Sequence, residues 1–250
     1  MPVTYVLVHG AWHSGQCWSK VVPRLGASGR PVFAPTLTGY GETRHLLSED
    51  TGLRTHVADV VRLLVEEDLH DVVLVGHSYA GMVISGVANE VPERIARLVY
   101  LDAMVPEHGE SAFDVLPASR GMLGDGWRVP PPPEPFGLFG VTDPADVAWV
   151  RSMLSDQTVH CLDEPVAMDH PALAAIPRTH IHCTPKPEGI DPRPVPAVQP
   201  NGEPADVREL VSGHDCMVIV PGELAAMLLD LGELGELAAA SAPSPAGAGR

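Results

Sequence analysis

The 250-residue chain has little of what would tie it to a secreted, membrane or nucleic-acid-binding class. Its four cysteines, Cys17, Cys161, Cys183 and Cys216, are scattered without CxxC spacing. A chain of this length has enough core to do without covalent staples, so free thiols in a reducing compartment are expected and no structural disulfide. Basic residues are also short, 16 against 32 acidic, and the net charge of −16 repels phosphate backbones and anionic membrane surfaces. Nucleic acid is thereby excluded as a partner. No run approaches the ~20 apolar residues of a membrane span, and the opening MPVTYVLVHG lacks the basic and long apolar regions of a secretory leader. A cytoplasmic protein is expected. There is no HExxH and no paired Cys/His motif. His180, His182 and Cys183 cluster, and His160 adjoins Cys161, but the first group falls in the register of an apolar strand. Neither a metal nor another cofactor is expected.

What is present is an alternation of short β-branched runs and helical periodicities. Residues 3–8 read as a buried strand ending in a turn at His9-Gly10, and residues 31–34 as another. Residues 16–28 read as a helix stopped at Gly29. Leu53, Val57, Val60, Val61 and Leu64 recur at helical spacing, giving a helix over 53–67 with one apolar face. Residues 71–76 are apolar on both sides of the pleat, as in a central parallel strand covered on both faces. A helix over 81–89, strands over 97–101, 179–183 and 207–211, and a last helix over 221–231 complete the pattern. Strands alternating with helices imply βαβ units and a doubly wound, mostly parallel α/β sheet. The alternation breaks over about 105–175, where PPPPEP at 130–135 cannot be regular and 144–154 suits a helix; this reads as a small cap inserted over the sheet edge. One domain over 1–237 is expected, with a disordered Ala/Ser/Pro/Gly tail over 238–250.

The chemistry lies where strands meet turns. Gly76-His77-Ser78-Tyr79-Ala80 stands between an apolar strand and a helix, the setting of a nucleophile elbow, whose strained turn exposes a serine and admits only small residues two positions to either side. Ala80 replaces the more usual glycine there. A serine needs a base, and His214, in Ser212-Gly213-His214-Asp215 between the last strand and last helix, is placed to serve; His77, next to Ser78, points away and packs the elbow. Three carboxylates compete to orient that base. Asp102 ends the strand after the elbow helix and fits the chain order serine, acid, histidine; Glu188 and Asp191 follow the next strand. A developing oxyanion needs fixed donors, for which the amides of Ala11 and Tyr79 qualify. Trp12, His13, Met104, Phe113, Trp127, Phe136, Phe139, Trp149 and Met153 lie in or near the first loop and the cap, where they line an apolar pocket or fill the cap's own core.

The segments VLVHGAWHSGQCW, VVLVGHSYAGMV, PERIARLVYLDAMVPE and the late GHD resemble the plant salicylate-binding methyl esterases and hydroxynitrile lyases, in the form of their bacterial relatives, over residues 3 to about 235. The resemblance implies an α/β-hydrolase core with a small helical cap, no cofactor, and cleavage of small, often aromatic esters. By position it assigns the nucleophile to Ser78, the histidine to His214 and the oxyanion amides to Ala11 and Tyr79. Plant members carry their acid after the strand ending here at Cys183, and no aspartate stands directly there, which favours Asp102. The lyases have threonine where Ala11 stands and lysine where Asp215 stands, which favours esterase over lyase.

The expected activity is therefore carboxylic ester hydrolysis of a small molecule through an acyl-enzyme. A serine at the elbow argues against the aspartate-dependent dehalogenases and epoxide hydrolases. Two other classes stay open: a biosynthetic role such as lactone opening, cyclisation or thioester release, and a non-catalytic small-molecule receptor. An exposed cap and an edge strand leave room for a homodimer.

Overall fold

A computed structural model describes residues 3–135, 137, 139–186 and 193–241. Its main sheet has six strands, β1 (Thr4–Val8), β2 (Val32–Phe33), β3 (Val72–His77), β4 (Ile95–Leu101), β7 (Arg178–Thr184) and β8 (Asp206–Val211). They run in the order β2-β1-β3-β4-β7-β8, every pairing parallel. The central strands β1 and β3 are buried at every position, which is why they read as unbroken apolar runs, whereas the edge strand β8 leaves Val207 and Val211 exposed.

The helices α1 (Val22–Gly26), α2 (Leu53–Glu66), α3 (Ala80–Glu90), α7 (Cys216–Ile219) and α8 (Pro221–Ser241) cover the sheet. Packing of α1 on α8 and of α2 on α3 forms the two outer layers. Buried Leu53, Val57, Val60 and Leu64 form the inward stripe of α2. The chain turns from β1 to β2 on one side and then resumes at β3 on the other, so β1 and β3 flank the switch point of the sheet, where ligands of open α/β sheets bind beyond the carboxyl ends.

Between β4 and β7 lies the cap. It holds α4 (Ala112–Val115), α5 (Pro144–Met153), α6 (His160–Asp163) and an antiparallel ribbon of β5 (Arg128–Val129) and β6 (Gln157–Thr158). The proline run before residue 135 carries no regular element, and Asp143 caps α5 by accepting from the amides of Ala145 and Asp146.

Two expectations are corrected. The helix over 16–28 is instead a 3₁₀ turn, Gly15–Trp18, followed by the short α1, because Pro23 has no amide proton to continue a helical ladder. The last helix continues past 231 to Ser241, into the segment expected to be disordered, since its Leu, Glu and Ala residues are strong helix formers. Residues 242–250 lie outside the described residues. Among the described residues no helix is long and apolar enough to cross a membrane.

The tightest contact between core and cap stem is at Gly81 in α3, where a Cβ would lie 1.9 Å from the Met104 carbonyl oxygen. Gly81→Val is expected to destabilise the protein by about 2 kcal/mol or more, lowering Tm by several degrees in a thermal melt. An unchanged Tm would show that the loop carrying Met104 can move aside.

Candidate active site

Loops at the carboxyl ends of β1, β3, β4, β7 and β8 converge on one site. After β3 the chain makes a sharp turn at Ser78, whose φ of 55° is in the left-handed region. The turn is held from both sides: the Ser78 amide donates to Leu101 O at 3.2 Å, and the Ser78 carbonyl accepts from Gly81 at 3.1 Å and Met104 at 3.0 Å. Gly76 is required by space, since a Cβ there would lie 2.6 Å from Ala80 O. Ala80 itself is fully buried at the start of α3.

The loop after β1 approaches because Gly10 is bare; a Cβ there would lie 2.8 Å from that of Ser78. It brings Ala11, Trp12 and His13 to the same cavity as Ser78 and Tyr79. Trp12, at φ 64°, is tied to the cap through its indole N–H, which donates to Val129 O at 3.0 Å, and its carbonyl, which accepts from Ser155 at 2.8 Å.

Asp102 directly follows β4 with φ 47°, its amide donating to Ile181 O at 2.7 Å. Its Oδ2 accepts from His214 Nδ1 at 2.6 Å, while Oδ1 accepts from the Cys183 amide at 2.9 Å and from Lys186 Nζ. Burial pulls this carboxyl upward, but the hydrogen bond and charge of His214, and then those of Lys186, outweigh it and hold Asp102 well below the usual carboxylate range. Glu188 and Asp191 lie outside the described residues.

The His214 loop is fixed by the cap and by the strand before the elbow. His77 Nε2 donates to the His214 carbonyl at 3.0 Å, and the Asp215 amide donates to Phe139 O at 3.0 Å. Gly213 and Gly140 pass so closely that a Cβ on Gly213 would lie 2.8 Å from the Gly140 Cα. Burial and then the neighbouring His214 push His77 down to about 3, so it stays neutral with one N–H to give. It therefore supports the His214 loop from behind as well as packing the elbow.

Comparison with known proteins agrees with this architecture. Residues 5–227 match the alpha/beta hydrolase family. The chain belongs to that family. It is 38% identical over 247 residues, 91% of its length and 99% of the relative's, to a carbendazim hydrolyzing esterase of Nocardioides sp. (strain SG-4G), and 27% identical over 72% of its length and 78% of the relative's to salicylic acid-binding protein 2 of Nicotiana tabacum. Among solved structures it shares its fold with an extracellular alpha/beta-hydrolase from a Paenibacillus species, at a TM-score of 0.71 and 23% identity over 92% of this chain and 98% of that one. It does so also with tomato methylketone synthase I, at 0.78 and 18% over 94% and 99%.

The cavity of this hydrolase measures about 590 Å³, and Ser78, Asp102 and His214 all face it. Trp12, His13, Met104 and Phe139 line it, together with Val105, Val115, Leu116 and Leu162, which the sequence did not single out. Four aromatic or sulfur side chains assigned to the pocket do not line it. Phe113 is buried in the cap core under the Arg120 guanidinium, Trp127 is covered by Arg128, Trp149 packs near Lys20, and Met153 is buried in the core. Phe113 and Met153 bury their apolar surface in the core, whereas Trp127 and Trp149 stay half-buried beneath cationic side chains away from the cavity. Phe136 lies outside the described residues.

The polar wall was also missed: Gln157, Lys186 and Arg193 border the cavity. Arg193 is held by a bidentate pair with Glu110 at 2.7 and 2.8 Å, and Gln157 Oε1 accepts from Tyr40 OH at 3.0 Å. No sequence motif marks these three, because their partners are remote in the chain. Among the described residues no three ligating side chains gather as a metal site; His180 stacks on Tyr100 at 5.1 Å, and His160 pairs with Asp163.

The depressed Asp102 value has a sign. Its contribution to stability is present above the ordinary carboxylate value of about 3.9 and is lost as pH falls through the lower folded value. The Tm deficit of Asp102→Asn relative to the parent should therefore be largest near neutrality and shrink below pH ~3. A deficit independent of pH would remove the ionic part of this account.

Proposed function

We propose that this hydrolase cleaves carboxylic esters of small apolar or aromatic molecules through an acyl-enzyme on Ser78. The observation that carries the reading is the 2.6 Å hydrogen bond from His214 Nδ1 to the buried Asp102, on the wall of the cavity that Ser78 enters from its left-handed turn. With Nδ1–H committed to Asp102, the Nε2 lone pair of His214 is left to take the Ser78 proton. The serine oxygen then bonds the ester carbon, and the carbonyl electrons move onto its oxygen, where the amides of Ala11 and Tyr79 serve as donors. A single such donor is worth about 3 kcal/mol of barrier. Collapse expels the alcohol, which takes its proton from His214, and water activated by the same histidine releases the acid.

The similarity to a carbendazim hydrolyzing esterase over nearly both whole chains supports an esterase, and the mostly apolar wall of Met104, Val105, Val115, Leu116, Leu162 and Phe139 supports an apolar substrate. No step in this scheme requires a cofactor. The four buried thiols suit a reducing, cytoplasmic setting.

A fluorophosphonate, which modifies only an activated serine, is expected to leave one adduct on Ser78 by peptide mapping, absent from His214→Ala. Ser78→Ala and His214→Ala should each lower kcat on p-nitrophenyl acetate by at least ~10³-fold. A folded protein that forms no adduct on Ser78, or hydrolyses the ester equally well as Ser78→Ala, would sink the proposal.

A further inference from the structure

Beside the proposed acid and base lies a second histidine and carboxylate that the mechanism above does not use. His13 and Asp215 are both buried, at 2% and 0% exposure. His13 Nδ1 is 2.8 Å from the Ala11 carbonyl, and Nε2 is 2.9 Å from Asp215 Oδ2. A carbonyl and a carboxylate have no proton to give, so both ring nitrogens must donate, and the ring carries two N–H groups. We infer that His13 is a positioning residue: held as an imidazolium between Ala11 and Asp215, it locks the loop that carries the Ala11 amide to the loop that carries His214. The inference rests on the reading of Ala11, Ser78 and His214 given above.

The surroundings leave these two charges to each other. His9 after β1 and His77 at the end of β3 are both pushed down to about 3, by burial first, and stay neutral. The thiols of Cys17 and Cys216, which face Asp215 from the turn after β1 and from α7, are pushed well up and stay protonated; burial is the leading cause for Cys17, and the Cys183 contact followed by burial for Cys216. His214, at the adjacent position, is the remaining group that changes charge during turnover. Burial opposes the charge on His13, but Asp215 outweighs it and raises the imidazole above its ordinary value; burial likewise opposes the charge on Asp215, and His13 outweighs it. The carboxylate charge is thus present above the ordinary carboxylate value, and the imidazolium persists until pH rises through the raised histidine value. Between those two values both charges are present.

The pair also reaches the cap. The Asp215 amide donates to Phe139 O, and the Phe139 ring lies 4.9 Å from that of His13. Three segments distant in sequence, the β1 loop, the β8 loop and the cap loop at 139–140, therefore meet at one buried ion pair. Asparagine at 215 keeps the shape and the capacity to hydrogen-bond but removes the charge that keeps His13 doubly protonated.

The test has three readings on the intact chain. Nitrogen-15 NMR of histidine-labelled protein at pH ~6.5, where an ordinary imidazole is half neutral, assigned with His13→Gln, should show both His13 ring nitrogens predominantly protonated, and Asp215→Asn should abolish that signature. Amide hydrogen exchange in Asp215→Asn should accelerate at residues 11–13 and 213–215 while α3 stays protected. On p-nitrophenyl acetate, Asp215→Asn should lower kcat by roughly 10- to 100-fold with KM within about twofold, and Asp215→Glu should restore part of the loss. A neutral His13 in the parent at that pH, or wild-type exchange and kcat in Asp215→Asn, overturns the inference. If the parent forms no fluorophosphonate adduct and does not turn over, the esterase reading has failed, and the spectra and exchange still decide whether the pair locks the loops.

Discussion

Val8 pairs with Gly76, His77 with Leu101, Leu101 with Ile181 and Thr184 with Val211, and this parallel register sets the ends of five strands against one another. Ser78, Asp102 and His214 each sit within three residues of one of those ends. Because side chains alternate across a strand, a slip of one position would turn every buried residue of β3 to the opposite face and carry Ser78 with it. The burial of β1 and β3 on both faces therefore fixes the site as firmly as it fixes the core.

The register also sustains local strain. Trp12, Ser78 and Asp102 follow β1, β3 and β4 in the left-handed region, a conformation that costs of order 1–3 kcal/mol for residues with side chains. Each is held by neighbours in space: Ser78 by Leu101 and Met104, Asp102 by Ile181, Trp12 by Val129 and Ser155 of the cap. Three adjacent loops thus bend sharply at the same level, which turns their next residues toward a common volume.

Much of this was legible because the signals are local. The apolar runs at 3–8 and 71–76, the stripe of Leu53, Val57, Val60 and Leu64, and the small residues around Ser78 each report a constraint acting within a few positions. The strand ends varied by one or two residues, and the helix over 16–28 failed on a single proline. Asp102 could be favoured from chain order, but that its second oxygen is occupied by Lys186 and Cys183 depends on how β4 and β7 pair. The cavity wall was least legible. Large rings such as Phe113 and Trp127 left pocket lining and cap core both open; Phe113 packs into the cap and Trp127 sits half-buried under Arg128, which leaves Val115, Leu116 and Leu162 on the wall, an outcome decided by how short helices seat on the body.

The placement of the carboxylate at the end of β4 bears on how the protein comes together during synthesis. Ser78 and Asp102 belong to one crossover, β3-α3-β4, whose contacts are close in sequence and so form early and quickly. The hydrogen bond that reaches His214 spans 112 residues and closes only after the cap and β7 and β8 are in place. On the proposed mechanism the emerging chain carries Ser78 unarmed, with His214 arriving last, so that a reactive serine coexists with the finished cavity and not with a half-folded one.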